Sequence, residues 1–346
     1  MPFRIIRNDI TKVRADAIVN TANPEPVIGG GTDSAIYDAA GAEKLLEARR
    51  KIGTIEPGQA AWTEAYGLQA RVILHTVGPV WIDGQHRERE VLHQCYANAL
   101  ALAEELHCES IAFPLIATGV YGFPKDEALS IALGEISRFL LSNEMMVSLV
   151  VFDEESFVLS SGLFHDIEEL IDDQHVSMIR QAEYAIGTVF AASDEKRFSG
   201  IDRRRTAILQ GNRSRQKQTK VPEQSLEELL DTTEDTFQKR LFRLIDQKQL
   251  DDVTVYKKAN IDRKVFSKIR CNEDYKPKKR TALAFAIALE LDMPSTVDLL
   301  ARAGLSFSPS SKFDLIVGYF ISHENYSIYD INAALFKYGQ PILGDE

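Results

Sequence analysis

Two hydrophobic textures divide the chain. Up to about residue 175, short β-prone runs alternate with helical spacings. Residues 3–7, 16–20, 71–77, 110–114 and 148–152 read as strands. The last of these is continuously apolar, as a strand covered on both faces should be. Over 32–50, Ile36, Ala39, Ala40, Leu45 and Leu46 fall on one side of a predicted helix. A long helix over 87–106 carries Val91, Leu92, Cys95, Ala99, Leu102 and Leu106 as its stripe, and 124–141 starts with Pro124 in the first turn. Such alternation predicts an α/β sheet with helices on both faces. In that architecture ligands bind at the carboxyl ends of the strands.

The texture then changes. Residues 191–222 are polar, basic and poor in large apolar side chains, which reads as a linker or a segment ordered on binding. From Gln224 onward the spacing is helical, over 225–230, 236–248, 253–259, 263–271, 279–290, 294–303, 312–322 and 328–337. The expected organisation is an α/β domain at 1–175, a partly helical or flexible basic linker at 176–222, and an all-α domain at 223–346. At 346 residues the chain is long enough for about two domains.

Charge supports that division. The formal net charge is −11, but residues 1–189 hold 14 basic and 28 acidic residues, whereas 190–222 hold 9 and 3. An acidic front argues against the first domain gripping nucleic acid. Three cysteines and seven histidines show no metal-ligand spacing, so neither a structural metal nor a cofactor is expected. No apolar run approaches a membrane span, and the first nine residues lack the apolar core of a secretory signal; a cytoplasmic setting without membrane contact is the expectation.

Three segments carry candidate chemistry. The first runs from a strand through Asn20 and Asn23 to Gly29, Gly30 and Gly31, and opens a helix with Asp33 in its first turn. Glycines let backbone N–H groups approach a ligand, a helix N-terminus favours anionic groups, and the two amides suit sugar hydroxyls. By itself this is also a turn capped by Asp33. The second segment, Thr118, Gly119, Val120, Tyr121, Gly122 and Phe123, again joins strand to helix. Its N–H groups could form an anion nest, although it lacks the Gly-Lys-Ser/Thr of a P-loop. The third ends a strand at Phe152, which either stacks on a flat base or packs in the core.

Four pieces in order, Asn8-Asp9-Ile10-Thr11, the Asn20 to Asp33 segment, His75-Thr-Val-Gly-Pro79 and Pro114 to Phe123, closely resemble a macrodomain of the MacroD type, over residues 1 to about 172. The resemblance implies a mixed sheet sandwiched between helices, binding of ADP-ribose, and hydrolysis of ADP-ribosyl esters on protein carboxylates or on O-acetyl-ADP-ribose. It also implies roles. Asp9 accepts from the adenine amino group beside Ile10, and Phe152 stacks on the base. The loop from Thr118 to Phe123 cradles the diphosphate, and Gly29 to Gly31 wrap the distal ribose. Asn23 holds the ribose hydroxyls, and Asp33 orients or deprotonates the attacking water. The chain departs from the pattern at Tyr37, where a histidine is common, and by the stiff, charged Asn23-Pro24-Glu25-Pro26 run. These departures keep a second reading open: a non-catalytic ADP-ribose reader coupled to the helical domain.

In that domain, residues 252–305 loosely resemble a repressor-type helix-turn-helix. Arg263, Lys264, Ser267 and Lys268 would be its exposed contacts to DNA, and residues 257–280 hold 10 basic against 3 acidic residues. The motif rests only on its apolar spacing and the turn before Asp262, so a protein-interaction module carries more weight.

Overall fold

The computed structural model describes residues 2–152 and 235–344. The whole of the expected linker at 176–222, the expected helix at 225–230 and the end of the expected α/β domain, 153–175, therefore lie outside the described residues. Strands β1 (Phe3–Arg7), β2 (Ala17–Thr21), β3 (Ala60–Glu64), β4 (Val72–Thr76), β5 (Ser110–Pro114) and β6 (Met146–Val151) form one sheet in the order β1-β6-β5-β2-β4-β3. Neighbours are parallel except β3, which runs antiparallel to β4. The hydrophobic pattern does not announce β3. Trp62 is exposed and only Thr63 is well buried, so the strand lacks the apolar face that would mark it.

Helices α1 (Thr32–Ala40), α2 (Ala42–Ile52), α3 (Glu88–Glu105) and α4 (Lys125–Ser142) cover the sheet. The single helix expected over 32–50 is two, because Gly41 adopts φ 99° between them and its N–H closes α1 onto Tyr37 O. Only glycine takes that conformation without strain. On one face, Ile18, Ile73, Ala112 and Val150 pack with Ile36, Tyr37 and Leu45 of α1 and α2. On the other, Tyr96 of α3 lies 5.3 Å from Phe113 of β5, and α3 pairs with α4.

The remaining helices are α5 (Phe237–Gln247), α6 (Asp252–Lys258), α7 (Arg263–Cys271), α8 (Lys279–Ala288), α9 (Met293–Arg302), α10 (Lys312–Ser322) and α11 (Ile328–Lys337). Side-chain caps from Thr236, Asp251, Asp262, Asp292, Ser311 and Ser327 start six of them, which is why their boundaries are legible locally. Helix α8 is buried over Thr281–Ala288 and is the centre of this group. Among the described residues, no helix is long and apolar enough to cross a membrane.

The helical region is fastened to the sheet. Phe3 N–H donates to Asn260 Oδ1 at 2.9 Å, and Asn260 Nδ2 donates back to Phe3 O at 3.0 Å. A carboxamide thus stands where the next strand would pair, closing part of the β1 edge. Tyr329 of α11 packs on the Phe3 ring at 5.2 Å. Tyr256 donates to Glu144 Oε1 at 2.7 Å, and the Lys257 ammonium donates to Leu141 O and Asn143 O at the end of α4.

Candidate functional site

A cleft of about 700 Å³ opens at the carboxyl ends of the parallel strands. Asp9, Ile10, Asn23, Gly29, Gly30, Gly31, Asp33, Thr118, Gly119, Val120, Tyr121 and Phe152 line it, so residues from four separate chain segments meet in one space. Thr21, Gly78 and Lys125 line it too. Asn20, Gly122 and Phe123 do not.

At one end, the Asp9 side chain caps a short 3-10 turn, Ile10–Lys12, accepting from Thr11 N–H at 3.0 Å and Thr11 Oγ1 at 2.7 Å. The Thr11 hydroxyl and amide hold this carboxyl below its ordinary value. Phe152 is 74 % exposed and Val120 is 86 % exposed, an aromatic and an aliphatic surface left uncovered on the cleft. An open aromatic beside a fixed acceptor suits a flat heterocycle carrying an amino group.

The second segment forms a tight turn. Ala117 and Gly122 take φ of 64° and 67°. The N–H groups of Gly122 and Phe123 turn back to Gly119 O and Ala117 O, so they serve the loop rather than the cleft. Phe123 is buried against Trp81, with ring centroids 4.7 Å apart, and Trp81 N–H donates to Tyr121 O. The loop bearing Trp81 is itself tied by Glu88, whose carboxylate accepts from the N–H groups of Ile82, Asp83, Gly84 and His86. Asp83, His86 and Glu88 bring ligand-type atoms within 4.8 Å of one another. Their hydrogen bonds inside the loop account for that arrangement.

The first segment brings a buried carboxylate and two amides together. Asp33 is 2 % exposed. Its Oδ2 accepts from Gly29 N–H at 2.6 Å and its Oδ1 from Asn20 Nδ2 at 2.7 Å. Burial pushes its pKa up, against the pull of Gly29, Asn20 and Arg49. Asn23 is oriented at both ends: Oδ1 accepts from the Tyr121 hydroxyl at 3.3 Å, and Nδ2 donates to Val27 O at 3.2 Å. Gly29 lies between Asn23 and Asp33. A Cβ there would sit 2.7 Å from Asn23 Nδ2 and 3.3 Å from Asp33 Oδ2, so glycine is what lets the amide and the carboxylate share this corner.

Asn20 is fully buried beneath this corner and bonds Asp33, not the cleft. Tyr37 is also buried, 1 % exposed, one helical turn after Asp33. Burial, then the Asp33 charge, pushes its hydroxyl to about 12, which keeps it neutral. Since Tyr37 does not line the cleft, its difference from histidine does not change the cleft wall.

Sequence reasoning passed over Arg49. Its guanidinium is buried and donates to Asn23 O at 3.1 Å, Pro24 O at 2.9 Å and Gly53 O. It braces the Asn23-Pro24 backbone from below with a planar fork of donors. In the sequence it is one of three consecutive basic residues ending α2, and nothing local marks which of them turns inward. Arg263, Lys264, Ser267 and Lys268 are exposed on α7, remote in sequence and outside this cleft.

The Macro domain family model matches residues 19–132. A macro domain-containing protein of Chlorobaculum tepidum is 49% identical over 147 residues, which is 42% of this chain and 84% of that protein. A Citrobacter rodentium protein named O-acetyl-ADP-ribose deacetylase is 48% identical over 160 residues, 44% of this chain and 90% of that protein. A solved structure, the Oceanobacillus iheyensis macrodomain with ADP, is 39% identical, covering 44% of this chain and 85% of that one, with a TM-score of 0.43. The stretch matched by the family model holds the glycine run, Asp33 and the 118–123 loop, and the 147-residue alignment with the Chlorobaculum tepidum protein spans more than four-fifths of it at 49% identity; the chain belongs to the macro domain family.

Proposed function

We propose that the cleft binds ADP-ribose and that the chain hydrolyses ADP-ribosyl esters, on protein carboxylates or on O-acetyl-ADP-ribose. The observation that carries this reading is the corner where Asp33 and Asn23 meet across Gly29, each oriented by protein donors. A carboxylate fixed at the inner end of a nucleotide-sized cleft can orient and partly deprotonate water. Asn23 can hold the distal ribose hydroxyls, and the amides of the glycine run can approach that sugar. Positioning and general-base help are the two terms such a site supplies. Relatives at 48% and 46% identity that bear the name O-acetyl-ADP-ribose deacetylase support the same chemistry.

Calorimetric titration with ADP-ribose, followed by release of ADP-ribose from a modified carboxylate, tests the reading. Binding with release supports the hydrolase, and binding without release establishes the reader instead. At the base end, Phe152→Ala is expected to weaken ADP-ribose binding roughly 5- to 100-fold, the usual worth of one base–aromatic stack. Unchanged affinity in the same titration would remove Phe152 from the site.

For the helical region we favour an interaction module whose partner is a protein. Many of its basic groups are engaged within the fold: Arg270 pairs with Asp252 at 2.6 Å, Lys258 with Glu290 at 3.0 Å, and Lys239 with Glu273. Lys257 is spent on the carbonyls ending α4. The expected result is no duplex binding in fluorescence anisotropy at low salt. Affinity that falls steeply as salt rises would instead assign Arg263, Lys264, Ser267 and Lys268 to nucleic acid.

A further inference from the structure

Three polar side chains lie beneath Asp33, on the sheet face that packs against α1 and α2. Asn20 and His75 are fully buried and Thr63 is 5 % exposed. They come from three adjacent strands: Asn20 opposes His75 across β2 and β4, and His75 opposes Ala61, two residues before Thr63, across β4 and β3. Asn20 follows Ile18 by two residues and His75 follows Ile73 by two, so the row caps the same face that packs against α1 and α2.

Their hydrogen bonds admit one arrangement. Asn20 Nδ2 lies 2.7 Å from Asp33 Oδ1 and 3.2 Å from His75 Nδ1. The amide has two N–H bonds and the Asp33 oxygen accepts one. His75 Nδ1 must therefore accept the other, so the ring proton sits on Nε2 and is donated to Thr63 Oγ1 at 2.9 Å. Burial, with the nearby Arg49 charge, holds the imidazole pKa at about 3, so the ring stays neutral and cannot invert this pattern by protonation. Turning the Asn20 amide over would aim its oxygen at the Asp33 carboxylate, which is repulsive. The ring lone pair fixes the amide, and the amide fixes the carboxylate.

We propose that Thr63, His75 and Asn20 form a positioning relay that holds the Asp33 carboxylate in its working orientation, on the reading that Asp33 serves ester hydrolysis. None of the three lines the cleft, so their effect reaches the substrate only through Asp33. The other titratable groups around Asp33 are Tyr37 on the same helix, Arg49 on α2 and Tyr121 on the diphosphate-side loop. None of them is altered in the test.

The test uses the full chain with Thr63→Val, Thr63→Ser and His75→Leu. Carbon-13 carboxyl NMR follows the Asp33 titration without ligand, and calorimetry and ester hydrolysis follow binding and turnover. Thr63→Val removes the acceptor for Nε2–H and lets the ring proton move to Nδ1. His75→Leu removes the ring altogether. Both are expected to move the Asp33 midpoint upward by about one pH unit, because the Asn20 amide, no longer held by the ring lone pair, donates less well to the charged form. Turnover should fall while ADP-ribose affinity holds within about twofold. Thr63→Ser, which keeps the hydroxyl, should behave as the parent. If both disruptive variants leave the Asp33 midpoint in place and lower only the melting temperature, the relay is overturned and these residues merely pack. The carboxyl titration needs no turnover, so it stands apart from the hydrolase reading, which fails separately if the parent chain releases no ADP-ribose.

Discussion

Asp33→Ala is expected to slow release of ADP-ribose from an ester substrate by about 10²- to 10⁴-fold, the usual contribution of a positioned general base. Affinity for ADP-ribose itself should change little. The cleft walls come from five stretches of the chain, and Asp33 is only one side chain among them. Loss of an interaction made only in the transition state lowers kcat and kcat/KM together. Single-turnover release measured beside calorimetry separates the two effects. Equal turnover by variant and parent would remove Asp33 from the chemistry and give the site to Asn23 or to water alone. The pH profile carries its own sign. Burial raises the Asp33 pKa, so its charged form is lost, as pH falls, at a higher pH than for an ordinary aspartate. The acid limb of the rate profile should therefore lie at a higher pH than an ordinary aspartate would give, and it should be absent from whatever activity Asp33→Ala retains.

The second large effect concerns stability, far from the cleft. Asn260→Ala removes both hydrogen bonds that the helical region makes to Phe3 of β1. Asn260 is fully buried, so the Phe3 N–H and C=O lose their partners without gaining water. At ~1–3 kcal/mol for each stranded group, the cost is roughly 2–6 kcal/mol. At about 2–4 °C per kcal/mol, that corresponds to a fall of roughly 4–24 °C in melting temperature. Asn260 also takes φ 53°, a conformation asparagine tolerates better than alanine, which adds to the loss. Thermal unfolding followed by circular dichroism checks it. A melting temperature within a degree of the parent would mean that the β1 edge does not depend on the helical region. Strand β1 leads directly to Asn8, Asp9 and Ile10, so the same fastening also steadies one end of the cleft.

Much of the fold and part of the site were legible before any coordinates. Regular elements with a clear period or a strong cap appear where the pattern puts them: β1, β5, α7, α10 and α11 match residue for residue. The elements that escaped are those whose signal lies in contacts. Strand β3 is an exposed edge with a single well-buried residue, and the break at Gly41 depends on one backbone angle inside an unbroken helical period. The site divides in the same way. Glycines, an aspartate opening a helix and a strand ending in phenylalanine can be read from local chemistry. Asn20 cannot be told from Asn23 by residue type, yet one is sealed beneath Asp33 and the other lines the cleft.

The sequence by itself determined the alternation of strand and helix, the glycine turns that let backbone approach a ligand, and the helical nature of the described residues from 235 onward. These follow from propensity, period and caps, which act over a few residues. Only the tertiary structure decided which polar side chains turn inward. Arg49 bracing the Asn23-Pro24 backbone, Asn260 closing the β1 edge, and the row from Thr63 through His75 and Asn20 to Asp33 all join residues distant along the chain. A buried polar group must find a partner, and the identity of that partner is set by which strands and helices become neighbours.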